Sequence, residues 1–247
     1  MKLKIKNLSD YSKNYSSINK ISTFRTKLNS NIKIYNNEML IKSNDSSIQL
    51  TPIKYSAQIE LNPFFFSTEI DLEEINIKKL IYPILLEDLI KNFIINNEVI
   101  NGKVFFKIKN IKKNKLFKNL LLNLNFNSGK IELTNSIFKV KKIGDLNVVS
   151  NSFSLEDNRL IFSGKLKIDI KNDKNFYKRF MVSKKNRFKL DKLEIDMGYS
   201  FAENIFYINK IIFNDDLNNS VDLMFEEIEN WAKFKQIMQK AVYYYSG

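Results

Sequence analysis

Hydrophobic and polar residues alternate over most of this chain, which is the pattern of a half-buried β-strand. In residues 53–61, for example, Ile53 and Tyr55 flank Lys54. The same alternation returns over residues 104–108, 120–126, 160–170 and 193–199, residues 205–213 are apolar in both phases, and weaker candidates are 3–7, 24–35 and 39–42. This pattern predicts a sheet of about ten strands.

Short turn signals separate these runs, at Asn101-Gly102, Ser128-Gly129, Glu156-Asp157-Asn158 and Asn214-Asp215-Asp216. Such spacing favours hairpins, so consecutive strands are expected to pair in an extended, mostly antiparallel sheet. Residues 10–31, rich in Ser, Asn and Lys, are predicted to form a loop. Because there is no clear Gly-, Ser- and Pro-rich linker, residues 1–247 are expected to form a single β-rich domain.

Two stretches change to the spacing of an amphipathic helix. One lies near 75–97, with Pro83 as its start or a kink, and the other near 219–243. The second has acidic residues early and lysines late, which suits the helix dipole, and it is expected to make 215–247 a helical tail. A shorter helix is predicted over 173–180. The predicted fold class is therefore mainly β, with peripheral helices (α+β).

Two absences in the composition exclude the catalytic and metal sites that depend on His or Cys, and leave carboxylate, Lys, Tyr or Ser chemistry, or no chemistry. The chain has no His and no Cys, so it has no Ser-His-Asp triad, no His-ligated zinc, no thiolate nucleophile and no disulfide. Paired acids such as Glu73-Glu74 and Asp215-Asp216 have the character of solvated surface. Phosphate-binding glycine loops are also missing from the sequence. We therefore expect a protein without catalytic residues, metal or cofactor.

Membrane targeting signals are equally scarce. The basic N-terminus is followed by Asn, Ser and Asp rather than by an apolar segment of the usual length, so it does not resemble a signal peptide. The most apolar stretch, 75–95, carries five charged residues (Lys78, Lys79, Glu87, Asp88 and Lys91). As written, the chain is expected to lack a membrane anchor of its own.

A net charge of +13 gives a second line of interpretation. Basic runs at 107–118 and 171–187 contain Phe and Tyr residues, and such patches can neutralise phosphates while their rings stack on bases. Against nucleic-acid binding, no RNA- or DNA-binding motif is present, and the aromatic residues fall mostly at apolar strand phases. Solvated lysines are the favoured interpretation. The same charge also attracts the chain to an anionic membrane surface.

The strands themselves are the remaining feature, because their apolar faces must be covered. A packed sandwich core, the helices or an apolar ligand would each do so.

Residues 70–214 contain a succession of strands with a few glycines rather than an active-site motif. The segments are the helix 76–93, the strands 102–110 and 120–126, GKIELT at 129–134, IGDLN at 143–147, LIFSGKLKIDI at 160–170, the helical NFYKRF at 175–180, and 190–199. In these segments the sequence resembles the C-terminal region of AsmA-like proteins, the bacterial envelope family that includes the TamB and YhdP types.

The resemblance implies an extended, curved antiparallel sheet whose concave face is a hydrophobic groove for phospholipid acyl chains. Family members are tethered to the inner membrane, project into the periplasm and are implicated in lipid transport and outer-membrane assembly. This chain lacks the N-terminal transmembrane helix of that pattern and is short. It is therefore expected in the periplasm, associated with the inner membrane through an anchored partner or a lost upstream segment.

Strand phase gives the groove residues that the resemblance implies. They are Phe106, Ile108, Leu122, Leu124, Ile131, Leu133, Phe162, Leu166, Ile168, Ile195, Met197 and Tyr199. Lysine and arginine at the groove rim are expected to meet phosphate head groups, namely Lys165, Lys167 and Arg179. Two alternatives stay open: a basic nucleic-acid-binding protein, and a structural β-sandwich that acts through protein partners.

Overall fold

The fold is that of a computed structural model. It describes residues 4–9, 14–22, 26–48, 50–75, 90–91, 95, 97–112, 116–133, 135–157, 159–218, 220–228 and 230–247. The chain is mainly β, with 15 strands in a mixed sheet, which confirms the coarse fold class. Its residues group into two compact units, 1–80 with 94–114 and 119–131, and 81–93 with 115–118 and 132–247. The single-domain expectation stays a prediction.

Unit 1 is built from strands that, except for the last, follow one another in the sheet in chain order. They are β1 (Lys4–Ser9), β2 (Asn14–Ser22), β3 (Lys27–Tyr35), β4 (Glu38–Ile48), β5 (Thr51–Leu61), β6 (Phe64–Ile75), β7 (Gly102–Ile111), most of β8 (Phe117–Asn127) and β9 (Lys130–Glu132). Neighbouring strands from β1 to β6 pair antiparallel, as do β7 and β8, whereas β6 and β7 run parallel. The predicted antiparallel sheet is thus interrupted by one parallel pair.

One face of unit 1 carries an apolar stripe. Ile70 pairs with Phe106, and Phe106 pairs with Leu122. These three side chains are half-buried, whereas Leu72 and Ile108, two residues further along β6 and β7, are buried. The stripe follows directly from the alternation in the sequence, because side chains two residues apart share a face.

The described residues of unit 2 form a six-stranded antiparallel ladder and two α-helices. Its strands are β10 (Ile137–Val140), β11 (Gly144–Glu156), β12 (Arg159–Ile170), β13 (Lys192–Ser200), β14 (Ile205–Phe213) and β15 (Val221–Ile228). Helix α1 (Asp173–Phe180) and a short 3-10 helix (Lys184–Asn186) connect β12 to β13, and α2 (Trp231–Ser246) follows β15. Both α-helices begin after an Asn N-cap, Asn172 and Asn230, whose side chain accepts a backbone N–H bond.

An irregularity in β14 explains why 205–213 is apolar in both phases. Met197 pairs with Ile208, but Asp196 pairs with Lys210, so Asn209 is an extra residue in β14. Such a bulge moves the following residues to the other phase. Ile208 and Ile211 therefore lie on the same face of the sheet, and both are buried.

The two helices cover this face of unit 2 and form its core. Phe176, Tyr177 and Phe180 of α1 and Met238 and Val242 of α2 are buried in a cluster with the β13 and β14 side chains. The predicted helix over 173–180 is confirmed. Its amphipathic spacing places one apolar side on the sheet and leaves Lys174 and Lys178 exposed.

Two of the expected elements are wrong in part. The predicted loop over 10–31 contains the hydrogen-bonded strand β2, because its polar side chains lie on a strand that pairs with β1 and β3. The predicted helix near 219–243, and with it the helical tail 215–247, begins only at Trp231, since 221–228 form β15. There, buried Val221 and Leu223 flank exposed Asp222, which is a strand alternation. The predicted helix near 75–97 lies mainly outside the described residues.

Candidate functional site

A pocket of about 420 Å³ lies within unit 2, between the sheet and the two helices. Strands β10 to β15 supply Val140, Leu146, Leu166, Ile168, Leu193, Ile195, Met197, Phe206, Ile208 and Ile228; α1 supplies Phe176 and Phe180; α2 and its N-cap supply Asn230, Trp231 and Phe234; Leu116, Phe117 and Ile143 complete the wall. Such a volume falls within the roughly 300–1,000 Å³ of small-molecule pockets.

The chemistry of this pocket is almost entirely apolar. Of the described residues that line it, Asn230 alone is polar, and its side-chain oxygen accepts the Lys233 backbone N–H at 3.0 Å. The lining therefore offers no general acid or base, and no cluster of oxygen ligands. An apolar cavity of this kind disfavours water and favours hydrocarbon, because water finds no hydrogen-bond partners there.

The pocket reaches solvent beside two aromatic residues. The side chains of Phe206 and Trp231 line it and are 44% and 42% exposed, whereas Leu193 and Phe176 at its floor and roof are 1% exposed. The Trp231 ring lies 5.6 Å from Phe180 and 5.5 Å from Phe234, measured between ring centroids. These rings form an apolar rim at the start of α2.

Hydrogen bonds hold the helical roof in place. The buried Tyr177 hydroxyl donates to the Phe188 carbonyl at 2.7 Å, and burial raises the pKa of this phenol. The Gln239 amide of α2 donates to the Phe180 carbonyl at the end of α1, at 2.8 Å. Helix α1 is thus tied both to the segment that follows it and to α2.

Ion pairs attach α2 to β15. Glu226 Oε2 lies 3.1 Å from Lys233 Nζ, and Glu226 Oε1 lies 3.7 Å from Lys240 Nζ. The hydrogen bond from Lys233 is the main reason that the pKa of Glu226 is lowered. Since Lys233 follows Trp231 by two residues, this pair also fixes the first turn of α2 beside the rim.

The structure brings four of the twelve predicted groove residues into this pocket: Leu166, Ile168, Ile195 and Met197. Phe162 and Tyr199 pair with each other on the same strands beyond the pocket. The predicted residues Phe106, Ile108, Leu122, Leu124 and Ile131 belong to unit 1, and Leu133 lies just after β9. One groove was predicted, and the pocket contains four of its six members on β12 and β13.

The predicted head-group residues lie elsewhere. Lys165 and Lys167 alternate with Leu166 and Ile168, so they project from the opposite face of β12. There Lys165 lies 3.3 Å from Glu194, and Lys167 lies 2.8 Å from Asp215. Strand phase therefore separates these two lysines from this pocket, and their predicted contact with lipid head groups stays a prediction. Arg179 is half-buried on α1, next to the pocket residue Phe180.

The pocket residues on the helices were not predicted as site residues. Phe176 and Phe180 were assigned to a short helix and Trp231 to a longer one, without a role in binding. Helical spacing indicates an apolar side but not the surface that it covers. The sequence signal was therefore limited to the apolar side of each helix.

The basic run at 107–118 contains paired charges. Lys109 Nζ lies 2.6 Å from Glu73, and Lys112 Nζ lies 2.7 Å from Glu74. Hydrogen bonding to Lys109 lowers the pKa of Glu73. These contacts favour a solvated, ion-paired surface over a continuous phosphate-binding patch.

Within the described part of the chain, no group of three or more acidic side chains is arranged to hold a metal ion. Over the same residues, neither α-helix combines the length and the apolar character needed to cross a membrane. Comparison with protein-family models, with curated proteins and with solved structures gives no match for this chain.

Proposed function

We propose that unit 2 binds a lipid acyl chain in the pocket between its sheet and its helices, without catalysing a reaction. The observation that carries this proposal is the lining: a pocket of about 420 Å³ whose described wall residues are apolar except for Asn230. Well-packed protein cores contain few voids larger than a water molecule, so a pocket of this size suggests an occupant rather than a packing defect.

The energetics favour a hydrocarbon occupant. Each methylene group transferred from water to an apolar site contributes about 0.8 kcal/mol, so burial of about ten contributes about 8 kcal/mol before the costs of binding. Polar ligands would lose their hydrogen bonds to water and gain none from Leu166, Ile195 or Phe180.

The resemblance to AsmA-like proteins extends this proposal to a cellular role. The chain would act in the periplasm, associated with the inner membrane through an anchored partner, and would support phospholipid transport or outer-membrane assembly. The extended, curved sheet with a concave apolar face belongs to the same proposal. The net charge of +13 would draw the chain to anionic lipid surfaces.

Native mass spectrometry of the purified chain in detergent-free buffer, followed by lipid extraction, tests the proposal. The expected result is phospholipid or another acyl lipid bound at a defined stoichiometry. Leu166→Asp should abolish this binding, because it places a charge in the pocket. Ser163→Asp is the matched control, since Ser163 is exposed on the opposite face of the same strand.

Two outcomes would contradict the proposal. A lipid-free chain that also fails to take up lipid from vesicles would favour a structural β-protein that acts through partners. Copurified nucleic acid, released as salt is raised, would favour the nucleic-acid alternative.

A further inference from the structure

We infer that the pocket of unit 2 holds one linear acyl chain, so that its ligand is a single-chain amphiphile or a lipid that inserts one chain only. This inference rests on the proposed function and adds the number and shape of the chains. It follows from the size of the pocket, from the strands it crosses and from its exposed end.

The volume matches one chain. A molecule of liquid water occupies about 30 Å³, and a methylene group is of similar size, so about 420 Å³ accommodates about 14 such groups. Two chains of a typical membrane phospholipid contain more than twice that number. A diacyl lipid would therefore leave its second chain outside this pocket.

The lining residues indicate an elongated pocket. The wall includes residues from each of six neighbouring strands, from Val140 on β10 to Ile228 on β15. A ligand that reaches from β10 to β15 crosses five strand intervals of about 4.8 Å each, so it must be long relative to its volume. Such an elongated pocket suits one polymethylene chain in van der Waals contact better than a compact fused-ring molecule.

The exposed end determines the orientation of the ligand. A polar head group finds no hydrogen-bond partner beside Leu193 or Phe176, because these floor and roof residues are buried. It would remain at the solvent side, beside Phe206 and Trp231. Trp231 is the single tryptophan of the chain, so its fluorescence reports occupancy of this end directly.

A chain-length series tests the inference on the full chain. Saturated fatty acids from 8 to 18 carbons are titrated below their micelle concentrations, with Trp231 fluorescence for affinity and native mass spectrometry for stoichiometry. We expect one molecule per chain, and an affinity that rises about fourfold per methylene. The rise should stop near about 14 carbons, where the pocket is full. Lysophosphatidylcholine and a diacyl phosphatidylcholine of equal chain length distinguish a free acid from a lipid source.

A pair of matched variants tests whether this pocket sets the chain length at which the affinity stops rising. Phe117 lines the pocket, whereas Phe138 packs against Phe117 at a centroid distance of 5.6 Å without lining it. Phe117→Ala should move the plateau to longer chains, since it lengthens the cavity. Phe138→Ala removes the same side chain and should leave the plateau unchanged.

The possible failures are separable. Absence of binding for every chain length and every lipid would overturn the proposed function. Two bound chains at saturation, an affinity that still rises at 18 carbons, or equally tight binding of a sterol would overturn the single-chain inference and leave lipid binding intact. Identical plateaus for Phe117→Ala and the wild type would place the bound chain elsewhere.

Discussion

The two units use the same alternation of apolar and polar residues, yet they bury it to different depths. In unit 2 the apolar face is covered by α1 and α2, and side chains such as Phe176, Leu193 and Met238 are 1% exposed or less. In unit 1 the stripe formed by Ile70, Phe106 and Leu122 stays half-buried, although Leu72 and Ile108, two residues along the same strands, are 3% and 5% exposed.

Unit 1 also buries polar groups. Its buried residues include Asn29, Ser43 and Ser46, where the Ser46 hydroxyl accepts the Asn29 backbone N–H at 2.9 Å and lies 2.6 Å from the Ser43 hydroxyl. The comparison teaches that strand alternation predicts which residues share a face. How deeply that face is buried depends on the elements that pack against it, and alternation gives no information about those elements.

Phe176→Ala gives the largest expected effect and tests the comparison most severely. The lost side chain is fully enclosed, so the free energy of unfolding should fall by about 3–5 kcal/mol. The half-buried Phe106→Ala in unit 1 should cost about 1–2 kcal/mol. Urea unfolding followed by Trp231 fluorescence and by circular dichroism measures both variants. Equal losses would contradict the difference in burial.

Gly144→Ala is expected to come next. The added Cβ would collide with the backbone carbonyl of Asp169 on the paired strand, and backbone cannot move aside cheaply. We expect a loss of about 2–3 kcal/mol, as for overpacking. Gly164→Ala is the control, because there the added Cβ meets only the Phe162 ring below 3 Å. Thermal unfolding of both variants measures the two losses of stability. A larger loss for Gly164→Ala than for Gly144→Ala would refute the backbone explanation.

Tyr177→Phe removes the hydroxyl that holds α1 to the Phe188 carbonyl, and should cost about 1–2 kcal/mol. Burial raises the pKa of this phenol, so the folded state holds the proton more tightly than the unfolded state. Its contribution is complete below the unfolded pKa of about 10 and is lost as pH rises through the folded pKa. Urea unfolding across alkaline pH should show the wild type losing its advantage over Tyr177→Phe. An advantage independent of pH would contradict this.

Asp215→Asn gives the smallest expected effect. Hydrogen bonds from Lys167 and Lys192 lower the pKa of Asp215, but the side chain is 43% exposed, so the loss should stay below about 1 kcal/mol. This contribution is present above the unfolded pKa of about 3.9 and is lost as pH falls through the folded pKa. Glu73→Gln, at the exposed Lys109 pair of unit 1, should be similarly small. Chemical unfolding at pH 7 and pH 3 checks both, and a large loss from either variant would contradict the comparison.

Most of the strands could be predicted from alternation, but two elements could not. Strand β2 has few apolar residues, and its place depends on pairing with β1 and β3 rather than on its own pattern. Residues 221–228 contain apolar side chains at spacings that suit either a helix or a strand. Pairing with β14, where Val221 lies opposite Ile211, selects the strand.

The candidate site was predictable only in its sheet half. Alternation correctly placed Leu166 and Ile168 on one face with Ile195 and Met197 of the neighbouring strand. Alternation could not predict that the helices cover this face, because the contact of α1 with the sheet depends on how the chain folds between β12 and β13. For Lys165 and Lys167, alternation was sufficient, because their phase already separates them from the apolar face.

The strand order of each unit also bears on how the chain is made. Because neighbours in the sheet are mostly neighbours in sequence, each new hairpin can add to a growing edge while synthesis continues. The parallel pair of β6 and β7 is the exception, since parallel strands require a long crossover between them. Until that crossover closes, β6 presents an unpaired edge that invites pairing with other chains. Nascent chains that stop before β7 are therefore the species in which a holdase chaperone should be most needed.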